Sequence, residues 1–408
     1  VLTGVGAHHA GQLLIWRLVL EELMSAGMLR ILVATGTVAA GVDFPARTVV
    51  ITAHSKRGAD GFNTLTPSEL QQMSGRAGRR GKDAVGFCIA APTPFCDARA
   101  LLRLSKKKPL PLVSSYFPSP STVLNLLRYR NVDDLKYTAM RSLASFKDLK
   151  DAEKLRREAF QTQEFLKRNG IAIDEIDFSA NLDQQDSEEI ESLTKEQKKL
   201  VKKVRRLNRE AIDLELKQDR LLEKTLQGLR DLGYLEGVNL SDKGYWSARL
   251  CTSLVLELAE VISAGMLTDI KADKLAGIVA ILSADSYRHY ITGELDIISQ
   301  KELEDIQKIV SNVGTYQIPG VYEDRVVGLS AAYTVNLWMH ASTWQELRGQ
   351  MFLHGVSEGD VARLLAQTAE HLNQITRLSE SHPALALKAE EAKRRILRPP
   401  LTEAILDS

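Results

Sequence analysis

From Val1 to Thr93 the apolar positions switch between two periods. Gln12–Ala26 carries Leu13, Trp16, Leu20 and Leu23 at helical spacing among good helix formers. Ile31–Thr35, Thr48–Thr52 and Ala84–Ala91 are instead continuous apolar, β-branched runs. Runs of that kind mark strands buried on both faces of a parallel sheet, so this stretch reads as α/β. A complete doubly wound domain needs more strands than three, and the first ones are expected upstream of Val1.

Six prolines (Pro92, Pro94, Pro109, Pro111, Pro118 and Pro120) then mark a linker into helical sequence from Thr122. Lys147–Arg230 is densely charged, and Leu200, Val204, Leu207, Ile212 and Leu216 fall at helical spacing within it. A helical hairpin or stalk fits, with Asn169–Ser187 as its tip; a coiled coil is the alternative, against which the repeat is short and irregular. Leu221–Leu240 reads as a helix, a glycine turn and a short hairpin with Tyr234, Leu235, Val238 and Leu240 alternating, which suggests a winged-helix element. Beyond Ser241 the pattern is helical over Leu250–Ile262, Ala272–Ser283, Gln300–Val313, Gly328–Met339, Thr343–Met351 and Ser357–Leu378.

Composition changes this picture little. A chain of 408 residues is too long for one core, so two to four domains are expected. A net charge of +1 leaves any nucleic-acid surface to a local patch. The three cysteines lack metal-ligand spacing; Cys88 and Cys96 read as packing residues of a protein in a reducing cytosol. No apolar run approaches the ~20 residues of a membrane span.

The densest chemistry lies in Gln72-Met-Ser-Gly-Arg76-Ala-Gly78-Arg79-Arg80-Gly81. Two arginines three apart, interleaved with glycines, can approach a phosphate closely and bind it through several donors. Standing alone, such a loop could equally be a generic RNA-backbone contact. About thirty residues earlier, Ala34–Arg47 sits at the end of a predicted strand, where ligands bind in open α/β sheets. Its hydroxyls Thr35 and Thr37 can donate to phosphate oxygens and its carboxylate Asp43 can accept from a ribose. Gly6–Gly11, with His8 and His9, precedes the first helix, a natural place for a phosphate contact; hydrogen-bonded loop histidines are the equal alternative.

These three motifs, in this order, resemble the second RecA-like domain of superfamily 2 helicases, and most closely the DExH-box helicases of the exosome-associated, superkiller type. Pro111–Phe117, Thr122–Leu127 and Arg141–Phe146 resemble the segment after that family's arginine motif. Leu229–Leu235 with Leu240–Gly244 resembles its winged helix, and Trp338–Leu378 its DSHCT helical domain. The fold class implied is α/β followed by mainly α: an incomplete RecA-like parallel sheet (1–93), a winged helix (94–150 and 219–248) with a helical stalk insertion (151–218), and a C-terminal helical bundle (249–408).

The resemblance assigns roles. Arg79 is the arginine finger, Arg76 a second γ-phosphate contact, and Gln72 couples nucleotide to motion. Gly41 and Asp43 lie beside the nucleotide, although many members carry Asn at the latter place. Thr35, with Thr37 and His9, touches the nucleic-acid backbone. The helix opening at Ser357 with a capping-box-like start has a polar face of Arg363, Gln367, His371 and Gln374, and the family places nucleic acid along it. Lys198–Arg206 on the stalk is either a solvated face, paired with Glu196 and Glu210, or a surface for RNA or a protein partner. The implied protein is a cytoplasmic, ATP- and Mg²⁺-dependent 3′-to-5′ helicase acting on single-stranded or 3′-tailed nucleic acid, RNA above DNA. A DNA-repair helicase of the same superfamily and a non-catalytic scaffold are the rivals.

No G-x-x-x-x-G-K-[ST] loop occurs in the 408 residues. Asp174-Glu175-Ile-Asp177 imitates a Mg²⁺-binding motif, but it follows the arginine motif and falls in the charged stretch. Without a lysine and a metal on the β- and γ-phosphates, the arginines cannot assemble a phosphoryl-transfer site. The purified 408-residue chain is therefore expected to turn over no ATP and to bind none tightly. Nucleic-acid-stimulated hydrolysis above a contaminant control would contradict this.

Overall fold

In the computed structural model the described residues are 1–36, 46–58, 61–79, 81, 83–170, 193–321 and 325–401. Thr37, Gly41 and Asp43, most of the expected stalk tip and the Asp174–Asp177 look-alike lie outside them. The chain forms two compact units, Val1–Leu112 with Ala264–Lys308 and Val326–Ser408, and Val113–Ser263 with Ile309–Arg325.

In the first unit, β1 (Val5–His8) pairs in parallel with β2 (Ile31–Ala34), in the register Val5↔Ile31 to His8↔Ala34. Helix α1 (Leu14–Ser25) crosses between them and buries Leu20. Gly6 leaves room for this packing, since a Cβ there would meet Leu20, Leu29 and Leu32 at 3.1 Å. β3 (Thr48–Ile51) pairs in parallel with β6 (Phe87–Ala90). Between them come the antiparallel hairpin β4 (Ser55–Gly58) and β5 (Gly61–Thr64), then α2 (Pro67–Ser74). A small core of Ile51, Leu65, Leu70, Cys96 and Leu101 joins β3 and α2 to α3 (Ala98–Ser105), which lies inside the expected proline linker.

The three strands fall where the apolar runs put them, and they are parallel. Their expected burial is corrected: Ile31, Val33, Val50, Phe87 and Ile89 are each about half exposed or more. A parallel strand is buried only when helices cover both faces. Among the described residues, α1 lies on β1 and α2 on β3. Cys88, on β6, is likewise exposed, whereas Cys96 is buried as a packing residue.

The helical part of this unit is built around α11 (Ala272–Ser283), whose Leu275, Ile278, Val279 and Leu282 are fully buried. It packs on α13 (Leu329–His340), α15 (Glu358–Thr376) and α16 (Pro383–Ile396). The indole of the buried Trp338 donates to the Ile396 carbonyl at 2.9 Å and stacks edge-on against Trp344 at the start of α14 (Trp344–Leu353). Helix α12 (Gln300–Thr315) starts at a cap in which Glu302 accepts from the Ser299 N–H and from Lys274. In α15 the apolar stripe Val361, Leu364, Leu365, Leu372 and Ile375 faces inward without exception.

In the second unit, α4 (Pro120–Leu127) and α5 (Val132–Met140) lead into α6 (Leu143–Arg168). Helix α7 (Lys195–Glu215) returns along α6, and Ala159, Val204 and Leu207 form the dry seam between them, with Leu155 at its edge. The stalk is thus a two-helix hairpin, longer at its base than the sequence indicated. Helix α8 (Lys217–Asp231) follows after one residue, then the hairpin β7 (Leu235–Glu236) and β8 (Asn239–Leu240), with Leu235 opposite Leu240. Val238 lies in its turn and is exposed, so the expected alternation breaks there. α9 (Asp242–Ser247) and α10 (Val255–Ser263) close the unit. Tyr234 is buried beneath them; its hydroxyl donates to Glu260 at 2.7 Å, and Lys243 also reaches that carboxylate. The beginning of α10 is later than Leu250, since residues 250–254 are irregular, ending in a turn at Ser253 and Leu254.

The two faces of α15 differ in what they cost to alter. Leu364→Ala should destabilise the chain by about 2–5 kcal/mol, because the cavity adds to the lost burial. Arg363→Ala, on the exposed face, should cost under about 0.5 kcal/mol. Denaturant unfolding followed by circular dichroism reads both, and equal effects would mean the helix is turned differently.

Candidate functional site

The arginine loop starts from α2, whose first turn is a reciprocal cap. Thr66 accepts from the Glu69 N–H and Glu69 accepts from the Thr66 N–H, with Pro67 opening the helix. Lys56 of the neighbouring hairpin holds Glu69, and these contacts keep its carboxyl below the usual range. Gln72 is exposed near the C-terminal end of this helix. The helix stops at Gly75, and the chain turns through Arg76, Ala77 and Gly78.

Backbone hydrogen bonds fasten that turn. The Ala46 N–H donates to the Arg76 carbonyl at 2.9 Å, and the Gly78 N–H donates to the Ala46 carbonyl at 2.7 Å. Gly78 has φ +93°, a conformation glycine adopts without strain. Gly86, where the chain re-enters the sheet, touches the loop so closely that a Cβ would lie 2.5 Å from the Ala77 carbonyl carbon. The end of the strand-end motif and the arginine motif are therefore one rigid piece.

Arg79 leaves this piece as an exposed side chain paired, among the described residues, with Asp83. Its Nε lies 2.8 Å from Oδ2 and its Nη2 2.9 Å from Oδ1. The guanidinium beside it pulls the Asp83 carboxyl down to about 2, and the carboxylate raises the arginine in turn. Arg76 is half-buried at the start of the same turn.

A second group of sequence-predicted residues gathers at the ends of β1 and β2. The Thr35 N–H donates to the His8 carbonyl at 3.2 Å, which ties the two strand ends together. His8 itself is buried and bonds Glu21 of α1 at 2.8 Å, so it is a packing histidine. His9 is exposed; its Nδ1 accepts from the Gly11 N–H at 3.2 Å. Gly36 brings this group to α2, since a Cβ on it would lie 3.6 Å from the Met73 methyl.

The loop after β1 also meets the start of α15. Ser357 caps that helix by accepting from the Asp360 N–H at 3.1 Å. The Gly359 N–H donates to the Gly11 carbonyl at 3.0 Å, and a Cβ on Gly359 would lie 2.7 Å from the Gly11 carbonyl carbon. Along α15, Arg363 is exposed with its Nε 3.8 Å from Asp285, while Gln367 and His371 are half-buried. Gln374 is a correction: it is buried and donates to Glu370 at 2.6 Å, because it lies next to Ile375 on the packed side. The stalk cluster is also less open than its sequence suggested. Arg205 is buried, Lys203 pairs with Glu158 on α6, and Arg206 lies 3.7 Å from Glu210.

Sequence reasoning passed over Ala46, Asp83, Gly86 and Gly359. Asp83 stands four residues beyond Arg79 with a glycine between, a spacing that permits a return contact. Gly86 within a strand-like run and Gly359 in a first helical turn are each a signal of close backbone approach. Among the described residues, no group of three or more His, Cys, Asp or Glu could hold a metal ion, and no helix is long and apolar enough to cross a membrane.

Residues 6–81 match the family described as Helicase conserved C-terminal domain. Residues 237–404 match the DSHCT (NUC185) domain. The chain is 39% identical over 162 residues to a chloroplastic DExH-box ATP-dependent RNA helicase of Arabidopsis thaliana, which covers 39% of this chain and 14% of that protein. It is 39% identical over 186 residues to Superkiller complex protein 2 of Homo sapiens, covering 44% of this chain and 14% of the relative. The probable helicase HelY of Mycobacterium tuberculosis is 39% identical over 127 residues, 31% of this chain and 14% of the relative. The chain thus matches about a seventh of the length of these curated relatives.

The Gly86 contact predicts a specific weakness. Gly86→Ala should push the Ala77–Gly78 turn away from Ala46 and speed hydrogen exchange at the Gly78 amide by at least about tenfold, equivalent to 1.4 kcal/mol of local stability. Unchanged exchange there would show that the loop is not fastened by this approach.

Proposed function

We propose that this chain, which belongs to the superfamily 2 DExH helicases of the superkiller type, supplies one wall of the ATP site and part of the nucleic-acid path of an ATP-dependent RNA helicase moving 3′ to 5′. The observation that carries the reading is Arg79: an exposed guanidinium on a glycine turn bolted to a strand end. Such a group, delivered to ATP held by another motor domain, neutralises charge that develops on the γ-phosphoryl as it transfers. Because its base is fixed beforehand, little reorganisation is needed when that charge appears.

In this reading Arg76 is a second γ-phosphate contact and Gln72 links nucleotide state to domain motion. Gly41 and Asp43 face the nucleotide. A cationic, glycine-lined loop fits a polyphosphate, and Mg²⁺ arrives with the triphosphate. His9, Thr35 and Thr37 meet the nucleic-acid backbone at the strand ends, and Arg363, Gln367 and His371 continue that contact along α15. The helix and hairpin of α8, β7 and β8 act as a winged helix, and the α6–α7 stalk as a surface for RNA or a protein partner. The RNA preference is supported by the chloroplastic relative of Arabidopsis thaliana, which is named as an RNA helicase.

In the full-length protein, Arg79→Ala should lower kcat for nucleic-acid-stimulated ATP hydrolysis by roughly 10³-fold, as for other arginine fingers. ATP binding should persist, because the groups that cradle the triphosphate lie elsewhere. A variant with near wild-type turnover would remove Arg79 from this role. Comparing stimulation by single-stranded RNA and DNA in the same assay tests the substrate.

A further inference from the structure

Asp83 does more than balance a charge. It grips Arg79 at three points: Nε and Nη2 each donate to one of its carboxylate oxygens, and the Arg79 backbone N–H donates to Oδ2 at 3.0 Å. The Asp83 N–H closes the ring by donating to the Arg79 carbonyl at 2.9 Å. The turn between them passes through Gly81 at φ +75°, where a residue with a Cβ would be strained. The Asp83 side chain is 8% exposed and the Arg79 side chain 45% exposed, so the carboxylate is the packed partner and the guanidinium the presented one.

The geometry of the fork decides what is left over. A guanidinium has five N–H donors, and the pair uses only the Nε–H and one Nη2–H. The opposite edge, carrying both Nη1 hydrogens and the second Nη2 hydrogen, has no partner among the described residues. That edge is itself a two-pronged fork of the shape that binds phosphate oxygens. An arginine on a flexible stem would otherwise have to find this orientation afresh in every turnover. The guanidinium beside it pulls the carboxyl well below the physiological range, so the pair is charged throughout that range.

We propose that Asp83 is a positioning residue for Arg79, fixing the guanidinium plane so that its Nη1–Nη2 edge is presented to the γ-phosphate of ATP. This rests on the reading of Arg79 as the arginine finger. Asp83 touches no substrate; it acts through the orientation of its neighbour, as a carboxylate orients a catalytic group in other enzymes.

The test uses the full-length protein and steady-state ATP hydrolysis with saturating RNA. Asp83→Asn and Asp83→Ala should each lower kcat roughly 10- to 100-fold, the range expected for misplacing a catalytic group by about 1 Å. KM for ATP and the affinity for ADP should change less than about threefold, which also reports that the variants are folded. Asp83→Glu, which keeps the charge, should recover part of the loss. Arg79→Ala/Asp83→Asn should be no slower than Arg79→Ala alone, because one residue acts through the other. A kcat for Asp83→Asn that is unchanged or raised, or a double variant slower by the product of the single effects, would overturn the role of Asp83 while leaving Arg79 in place. Wild-type turnover by Arg79→Ala would overturn both readings together.

Discussion

Backbone lying on backbone, with no side chain between, is the constraint on which the arginine loop depends. Side-chain packing tolerates small shifts, because rotamers adjust and methyl groups slide. A peptide group pressed against a glycine has no such freedom. Ala46 gives both its N–H and its carbonyl to the turn, and Gly86 seals the other side. Ala46, near the end of one motif, is thus tied to the Arg76–Gly78 turn of the other by two backbone hydrogen bonds. Arg79 can then be exposed and still spring from a base held by backbone hydrogen bonds.

The same device recurs where α15 begins. Gly359 lets the first turn of that helix sit on the Gly11 carbonyl, beside the exposed His9. The loop after β1 therefore shares a backbone hydrogen bond with the helix that carries Arg363, Gln367 and His371. In the helicase reading these are two of the places where nucleic acid is touched, and the Gly359–Gly11 contact sets them side by side.

Much of this architecture was legible because its signals are periodic. The apolar runs at Ile31, Thr48 and Phe87 gave the strands, and the stripe from Val361 to Ile375 gave α15 with its inward face. The stalk showed itself in charge density and in Val204 and Leu207. What escaped had weak or misleading signals. Helix α16 buries Ala386, Ala389 and Ala392, and alanine marks no face as clearly as leucine does. Helix α3 hides among prolines that seemed to forbid it, although Asp97 caps it where no proline interferes. Gln374 is polar yet buried, because its amide finds Glu370 one turn away. The strands read as buried from hydrophobicity alone, but burial depends on what covers them, and a strand's own residues do not encode that. The grip of Asp83 on Arg79 depends on a glycine turn that spacing alone permits but does not require.

The stalk carries a mechanical consequence. Helix α6 is 26 residues long and unbroken, a rod of about 39 Å at 1.5 Å per residue. Near its root Asp148 bonds both Lys217 and Gln218 at the start of α8. Among the described residues, the helix beyond this point lies along its antiparallel companion α7. Such a rod is a lever arm: from Asp148 to Arg168 it is about 30 Å, and a tilt of about 10° there would sweep the far end through roughly 5 Å. A small change of angle at Asp148 would thereby become a displacement of several ångströms at the far end.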